Sequence, residues 1–167
     1  MKNQTTSILF ICSGNIFRSM SAEYALRHML GADTDISVSS AGTREPPHGV
    51  LDWVRDYHLE RTVDVSPHAP RRLTRELLEA ASLTVAMSTD HRDIVSDRFG
   101  VEIPLFNEVA CGRSEALPDV NEAVENWREN MEQAVPYVYR VIDHIYDSMP
   151  GLIERLPQFT RLPAVKQ

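Results

Sequence analysis

In the stretch ILFICSGNIFRSMSAE, residues 8 to 23, five residues separate a thiol from a guanidinium, and a hydroxyl follows directly. Cys12 ends an apolar run, Gly14 lies in a short polar loop, and Arg18 opens a segment of helical periodicity. A loop passing from a strand into a helix N-terminus turns successive backbone N–H groups into one concavity, faced by the positive end of the helix dipole. Such a concavity holds an anion and favours a thiolate over a thiol. Arg18 adds a permanent charge whose planar fork matches two phosphate oxygens. Gly14 permits close approach of the backbone, and the Ser19 hydroxyl can hydrogen-bond the sulfur. A thiolate beside a phosphate cradle is a nucleophile for phosphoryl transfer. Alone, Cys12 and Arg18 would read as a core thiol and a first-turn arginine; the strand before and the helix after make the spacing a site.

The elements that must position this loop alternate along the chain. Ser7 to Cys12 is a continuous apolar run, the pattern of a parallel strand buried on both faces. Ala22, Leu26, Met29 and Leu30 recur at helical spacing, with Gly31 as a stop. ISVSSAGT, Ile36 to Thr43, reads as a second strand. Pro46 and Pro47 introduce a helix whose apolar face is Val50, Trp53, Val54 and Tyr57. A short helix over Thr74 to Ala81 leads to a third strand, Ser82 to Met87, and Ser88 or Thr89 caps the next helix, which Gly100 ends. VEIPLF, Val101 to Phe106, reads as a fourth strand at an edge, because Pro104 cannot donate to a ladder. A long helical region then runs from Val124 through Trp127 and Val138 to Ile145, and Pro136 should kink or split it.

Alternating strands and helices predict an α/β fold, a three-layer sandwich with a central four-stranded parallel sheet and helices on both faces. In such sheets the ligand site lies at the carboxyl ends of the strands, where Cys12 stands. The 167 residues fit one domain over residues 1–150, followed by a loosely held, proline-bearing tail over 151–167. A net charge of −7 argues against general affinity for nucleic acid or anionic membranes. The N-terminal apolar stretch is too short for a signal peptide or a membrane span. Cys12 and Cys111 show no metal-ligand or disulfide spacing, the usage of reduced thiols in a cytoplasmic protein.

The loop resembles the signature of the low-molecular-weight protein tyrosine phosphatases: a cysteine, five residues, then arginine and serine. The resemblance extends in order through SAGT (Ser40 to Thr43), SPHAPRRL (Ser66 to Leu73), AMSTDHRDIV (Ala86 to Val95) and LPD (Leu117 to Asp119), covering residues 7 to 147. It implies that Cys12 is the nucleophile and that the backbone of Ser13, Gly14, Asn15, Ile16, Phe17 and Arg18 cradles phosphate, sulfate or vanadate. Arg18 would clamp the equatorial oxygens and Ser19 would stabilise the departing thiolate. Asn15, Ser40 and His68 match residues that brace the loop. The implied activity is hydrolysis of phosphotyrosine in a protein substrate, or of small aryl phosphates, through a phosphocysteine, with no cofactor and no metal.

An aryl ester also needs a proton for its departing oxygen, returned later when water attacks. In EALPDVNEA, Pro118 and the following helix would hold Asp119 on a defined loop, with Glu115 the nearest competitor. The family's aspartate is usually followed by proline and aromatics; here Val120 and Asn121 take those places and remove aromatic walls for the substrate ring. The family's second loop cysteine is replaced by Phe17, which leaves no disulfide partner within the loop, and Ser88 stands where an acidic residue is common. An arsenate reductase of the same fold would relay electrons through further cysteines, which Cys111 alone cannot supply. A phosphocysteine carrier would need no leaving-group acid, and a silent phosphate-binding protein would not need nucleophile, arginine, serine and acid together.

Overall fold

The computed structural model describes residues 5–160. Its centre is β1 (Thr6–Cys12), paired in parallel with β2 (Ile36–Gly42) on one side and β3 (Leu83–Ala86) on the other, in the order β2-β1-β3. The register sets Cys12 against Gly42 and Ile11 against Ala86, so the three strands end level with one another. Around them in chain order lie α1 (Arg18–Leu30), α2 (Asp52–Leu59), α3 (Arg75–Ala80), α4 (Thr89–Phe99), α5 (Phe106–Cys111), α6 (Val120–Ala123), α7 (Met131–Asp147) and α8 (Met149–Phe159).

The side-chain alternation of β1 builds two cores at once. Ile8, Phe10 and Cys12 face a large cluster with α1, α5, α7 and α8, while Leu9 and Ile11 face a smaller one with Leu78 of α3 and Val95 of α4. Burying side chains of this kind contributes about 1.5–3 kcal/mol each, and five in succession fix the strand that carries Cys12. Helices therefore cover both faces, as the alternation of elements predicts.

Five expectations need correction. Among the described residues the sheet has three strands, not four: the segment at Pro104 and Leu105 contributes one bridge, in which the Ala86 N–H donates to the Pro104 carbonyl at 2.9 Å. Pro104 can accept but not return a bond, and α5 begins at Phe106 before a ladder can extend. The expected tail is in part a helix. In α8, Pro150 occupies the first turn, where a missing N–H costs nothing, and Met149, Leu152 and Leu156 are buried. Gly151 lets α8 cross α5 closely, since a Cβ there would lie 2.5 Å from the Ala110 carbonyl oxygen. The rest of that stretch, 161–167, lies outside the described residues. The long helical region divides at 124–130 rather than at Pro136, which sits within the early turns of α7. Finally, α2 starts at Asp52, beyond the two prolines, and Met29 of α1 is exposed.

Candidate active site

β1 delivers Cys12 to the carboxyl edge of the sheet, 3% exposed, and the chain then crosses to α1 through residues 13–17. Two bonds from the segment after β2 staple this loop. The Thr43 N–H donates to the Cys12 carbonyl at 2.9 Å and the Arg44 N–H to the Ser13 carbonyl at 3.2 Å. The approach requires glycine at position 42, because a Cβ there would lie 2.4 Å from the Ser13 carbonyl oxygen. Among the described residues, the N–H groups of Gly14, Asn15, Ile16 and Phe17 donate to no protein acceptor. With α1 starting at Arg18, they leave the donor-lined concavity that anion binding needs.

Asn15 holds the turn. Its φ of 58° is the left-handed conformation that asparagine tolerates better than most residues. Its fully buried amide donates to the Ser40 hydroxyl at 2.7 Å and the Ser19 hydroxyl at 3.0 Å, and accepts from the Arg71 N–H at 3.0 Å. Since Ser19 Oγ already accepts from Asn15, its own proton is free for Cys12 Sγ, 2.9 Å away. His68 Nε2–H donates to the Asn15 carbonyl at 2.7 Å, while its Nδ1 lies 3.5 Å from Glu23. Ser40 and His68 thus both meet Asn15, one at its side-chain amide and the other at its carbonyl.

Arg18 is 2% exposed and held from two sides. Its Nη1 donates to the Leu117 carbonyl at 2.8 Å and to Ser88 Oγ at 3.2 Å. Ser88 in turn donates to Asp90 at 2.5 Å, so the negative charge expected at position 88 stands two residues later and reaches Arg18 through a hydroxyl. The Ser88 N–H donates to His91 Nδ1 at 3.1 Å, which leaves the ring proton on Nε2 and directs it to Ser13 Oγ at 2.9 Å. Burial, reinforced by the charge of Arg18, pushes the His91 pKa down to about 3, so the ring is neutral.

Asp119 enters from the opposite wall. It is the N-cap of α6, accepting from the Val120 N–H at 2.8 Å, while its own N–H donates to Glu122 at 3.1 Å. Its Oδ2 lies 3.5 Å from Arg18 Nη2. The preceding residues are tied down as well: the Leu117 N–H donates to the Met87 carbonyl at 2.9 Å, and the Tyr137 hydroxyl donates to the Pro118 carbonyl at 2.6 Å. Burial raises the pKa of Tyr137, which keeps that phenol a donor. Glu115, the competitor, instead pairs with Arg113 at 3.8 Å, and both side chains are exposed.

Cys12, Arg18 and Asp119 open into one cavity of about 350 Å³. Its walls include Ile16, Leu51, Trp53, Val54, Val120 and Trp127. The aromatic surfaces that Val120 and Asn121 do not supply therefore come from α2 and from the turn before α7. Sequence reasoning missed Gly42, His91, Tyr137 and both tryptophans as site residues. SAGT and AMSTDHRDIV already carried the first two, but nothing local signals that Tyr137 reaches Pro118. Cys111 lies at the end of α5, 3.7 Å from Ser148 Oγ, and does not line the cavity.

A parallel sheet with a donor-lined loop at its carboxyl edge, a thiol at the base and an arginine above it defines a class of phosphate-handling protein. Residues 7–158 match the family described as low molecular weight phosphotyrosine protein phosphatase. The chain belongs to that family. Among its relatives is the protein-arginine-phosphatase of Bacillus subtilis, 32% identical over 95 residues, which are 56% of this chain and 63% of that protein. The low molecular weight protein-tyrosine-phosphatase Etp of Escherichia coli is 28% identical over 158 residues, covering 91% of this chain and 90% of Etp. Arsenate reductases of staphylococci also match. The chain spans less than two thirds of the protein-arginine-phosphatase and, at 34% identity over 90 residues, only 61% of the low molecular weight protein-tyrosine-phosphatase Ptp of Acinetobacter johnsonii. In fold, the chain resembles the crystal structure of a YwlE mutant from Bacillus subtilis, with a TM-score of 0.76 at 22% identity, covering 91% of this chain and 99% of that one.

Proposed function

We propose that this protein is a cysteine-dependent phosphatase that hydrolyses phosphotyrosine in protein substrates. The Cys12 thiolate attacks phosphorus while the loop amides and Arg18 hold the three equatorial oxygens. A P–S bond forms as the P–O bond to the phenol breaks, the departing oxygen takes a proton from Asp119, and the phosphoryl group remains on sulfur as a phosphocysteine. Water then attacks phosphorus on the open side, gives its proton to Asp119, and releases Cys12 as a thiolate, which the Ser19 hydroxyl stabilises. No redox partner enters, and Cys111 takes no part.

The observation that carries this reading is the Asn15–Ser19–Cys12 chain at 3.0 and 2.9 Å, set beneath four loop amides with no protein acceptor. It places a hydrogen-bond donor on sulfur and more donors where a phosphoryl group would sit. For the substrate side chain, a cavity bounded by Ile16, Trp53, Val54 and Trp127 suits an aromatic ring better than a guanidinium, which would lose hydration against apolar walls. The test compares phosphotyrosine and phosphoarginine peptides, with Cys12→Ser as the control. Faster turnover of phosphotyrosine, lost in Cys12→Ser, is expected. Preference for phosphoarginine would overturn the substrate assignment, and retained activity in Cys12→Ser would overturn the nucleophile.

A further inference from the structure

Beyond the reacting groups, the cavity mouth carries a charge pattern at odds with the chain as a whole. Arg44 lies on the loop after β2, and Arg128 on the turn between α6 and α7; both are exposed and both line the cavity. Among the described residues, neither forms an ion pair. The two carboxylates that share the cavity are already engaged: Glu45 with Arg72 at 3.4 Å and Asp119 with Arg18 at 3.5 Å. Glu129 borders an adjoining hollow with Arg128 but makes no ion pair with it. The rim therefore presents two uncompensated positive charges on a protein whose net charge is −7.

The backbone of Arg44 and the side chain of Arg128 are each anchored. The backbone of Arg44 donates to the Ser13 carbonyl at 3.2 Å, which fixes its Cα against the phosphate loop. The Arg128 guanidinium lies over the Trp127 ring, 4.4 Å from its centroid, so the cation is stacked on an indole that also lines the cavity. A planar guanidinium presents a fork matched to a carboxylate, and stacking lowers the entropy lost when it binds.

We infer that Arg44 and Arg128 form a flanking subsite that selects peptides with acidic residues next to the phosphorylated residue. The subsite rests on the proposed phosphotyrosine activity, since it acts on the residues beside the one that enters the cavity. It must act at short range, because the overall field of the protein repels an acidic peptide; the local charges are felt only within about a Debye length, roughly 8 Å at physiological salt. Non-acidic phosphopeptides would bind through the phosphate loop alone.

The experiment measures kcat/KM for two phosphotyrosine peptides of identical length, one with glutamates flanking the phosphotyrosine and one with glutamines. The native protein should prefer the glutamate peptide by about three- to tenfold, the scale of two exposed charge pairs. That preference should shrink as salt is raised. In an Arg44→Gln, Arg128→Gln double variant the ratio should fall close to one, with each peptide serving as the other's internal reference. Equal turnover of the two peptides by the native protein would overturn the subsite and leave the phosphotyrosine reading standing. So would a preference that the double variant keeps. Failure to hydrolyse either peptide would overturn the phosphotyrosine reading and the subsite with it.

Discussion

Lowering the pH should unfold this protein through its buried histidines. His58 and His91 are both fully buried. His58 bridges Ser21 Oγ at 3.0 Å and the Tyr146 hydroxyl at 2.7 Å. Burial, then the charge of Arg61, pushes the pKa of His58 down to about 4; burial, then Arg18, pushes His91 down to about 3. In the unfolded chain both titrate near the ordinary value of about 6.5. Between those values the unfolded chain binds protons that the native protein refuses, so stability is full above about pH 6.5 and is lost as pH falls. The loss is about 1.4 kcal/mol per pH unit for each ring. Between about pH 7.5 and pH 4.5 the pair together costs roughly 5 kcal/mol, a third or more of a typical domain's stability. Urea unfolding across that range measures it directly. His58→Gln, which keeps a polar bridge but cannot titrate, should lose only about half as much over the same interval. Identical pH dependence in the native protein and His58→Gln would refute the reasoning, because it would mean that His58 titrates in the fold as it does in the open chain.

Two further outcomes test the proposed roles of the Asp119 loop and of the loop after Cys12. Tyr137→Phe removes the hydroxyl that holds the Pro118 carbonyl; hydrolysis should slow by about tenfold for aryl phosphates with poor leaving groups and much less for nitrophenyl phosphate, with competitive inhibition by phosphate little changed. A uniform loss across leaving groups would show that Tyr137 does not act through Asp119. Gly42→Ala drives a methyl into the Ser13 carbonyl oxygen, so phosphate affinity should weaken by at least about tenfold while far-UV circular dichroism is retained; unchanged phosphate binding would show that the loop yields easily.

The sequence by itself determined the strand that carries Cys12, the helix that starts at Arg18, and the alternation that makes a parallel α/β sheet. All of these are local: an unbroken apolar run, a 3.6-residue period and a glycine stop are written within a dozen residues. It also singled out Ser19, and the family resemblance added Asn15, Ser40 and His68; the four meet in one hydrogen-bonded group around the loop. It misjudged elements whose fate depends on what packs against them. VEIPLF had strand character, yet only Pro104 and Leu105 meet β3 before α5 begins. The proline-bearing end looked unpacked, yet Leu152 and Leu156 find α5 and the core, and burial outweighs propensity there. The tertiary structure alone decided how Asp119 is held and what walls the cavity. Tyr137 and Pro118 are 19 residues apart, and Arg18 and Leu117 are 99 apart. Trp53 and Trp127 reach the same cavity from separate elements. No local pattern encodes such pairings, because they exist only once helices from distant parts of the chain have been packed onto one sheet.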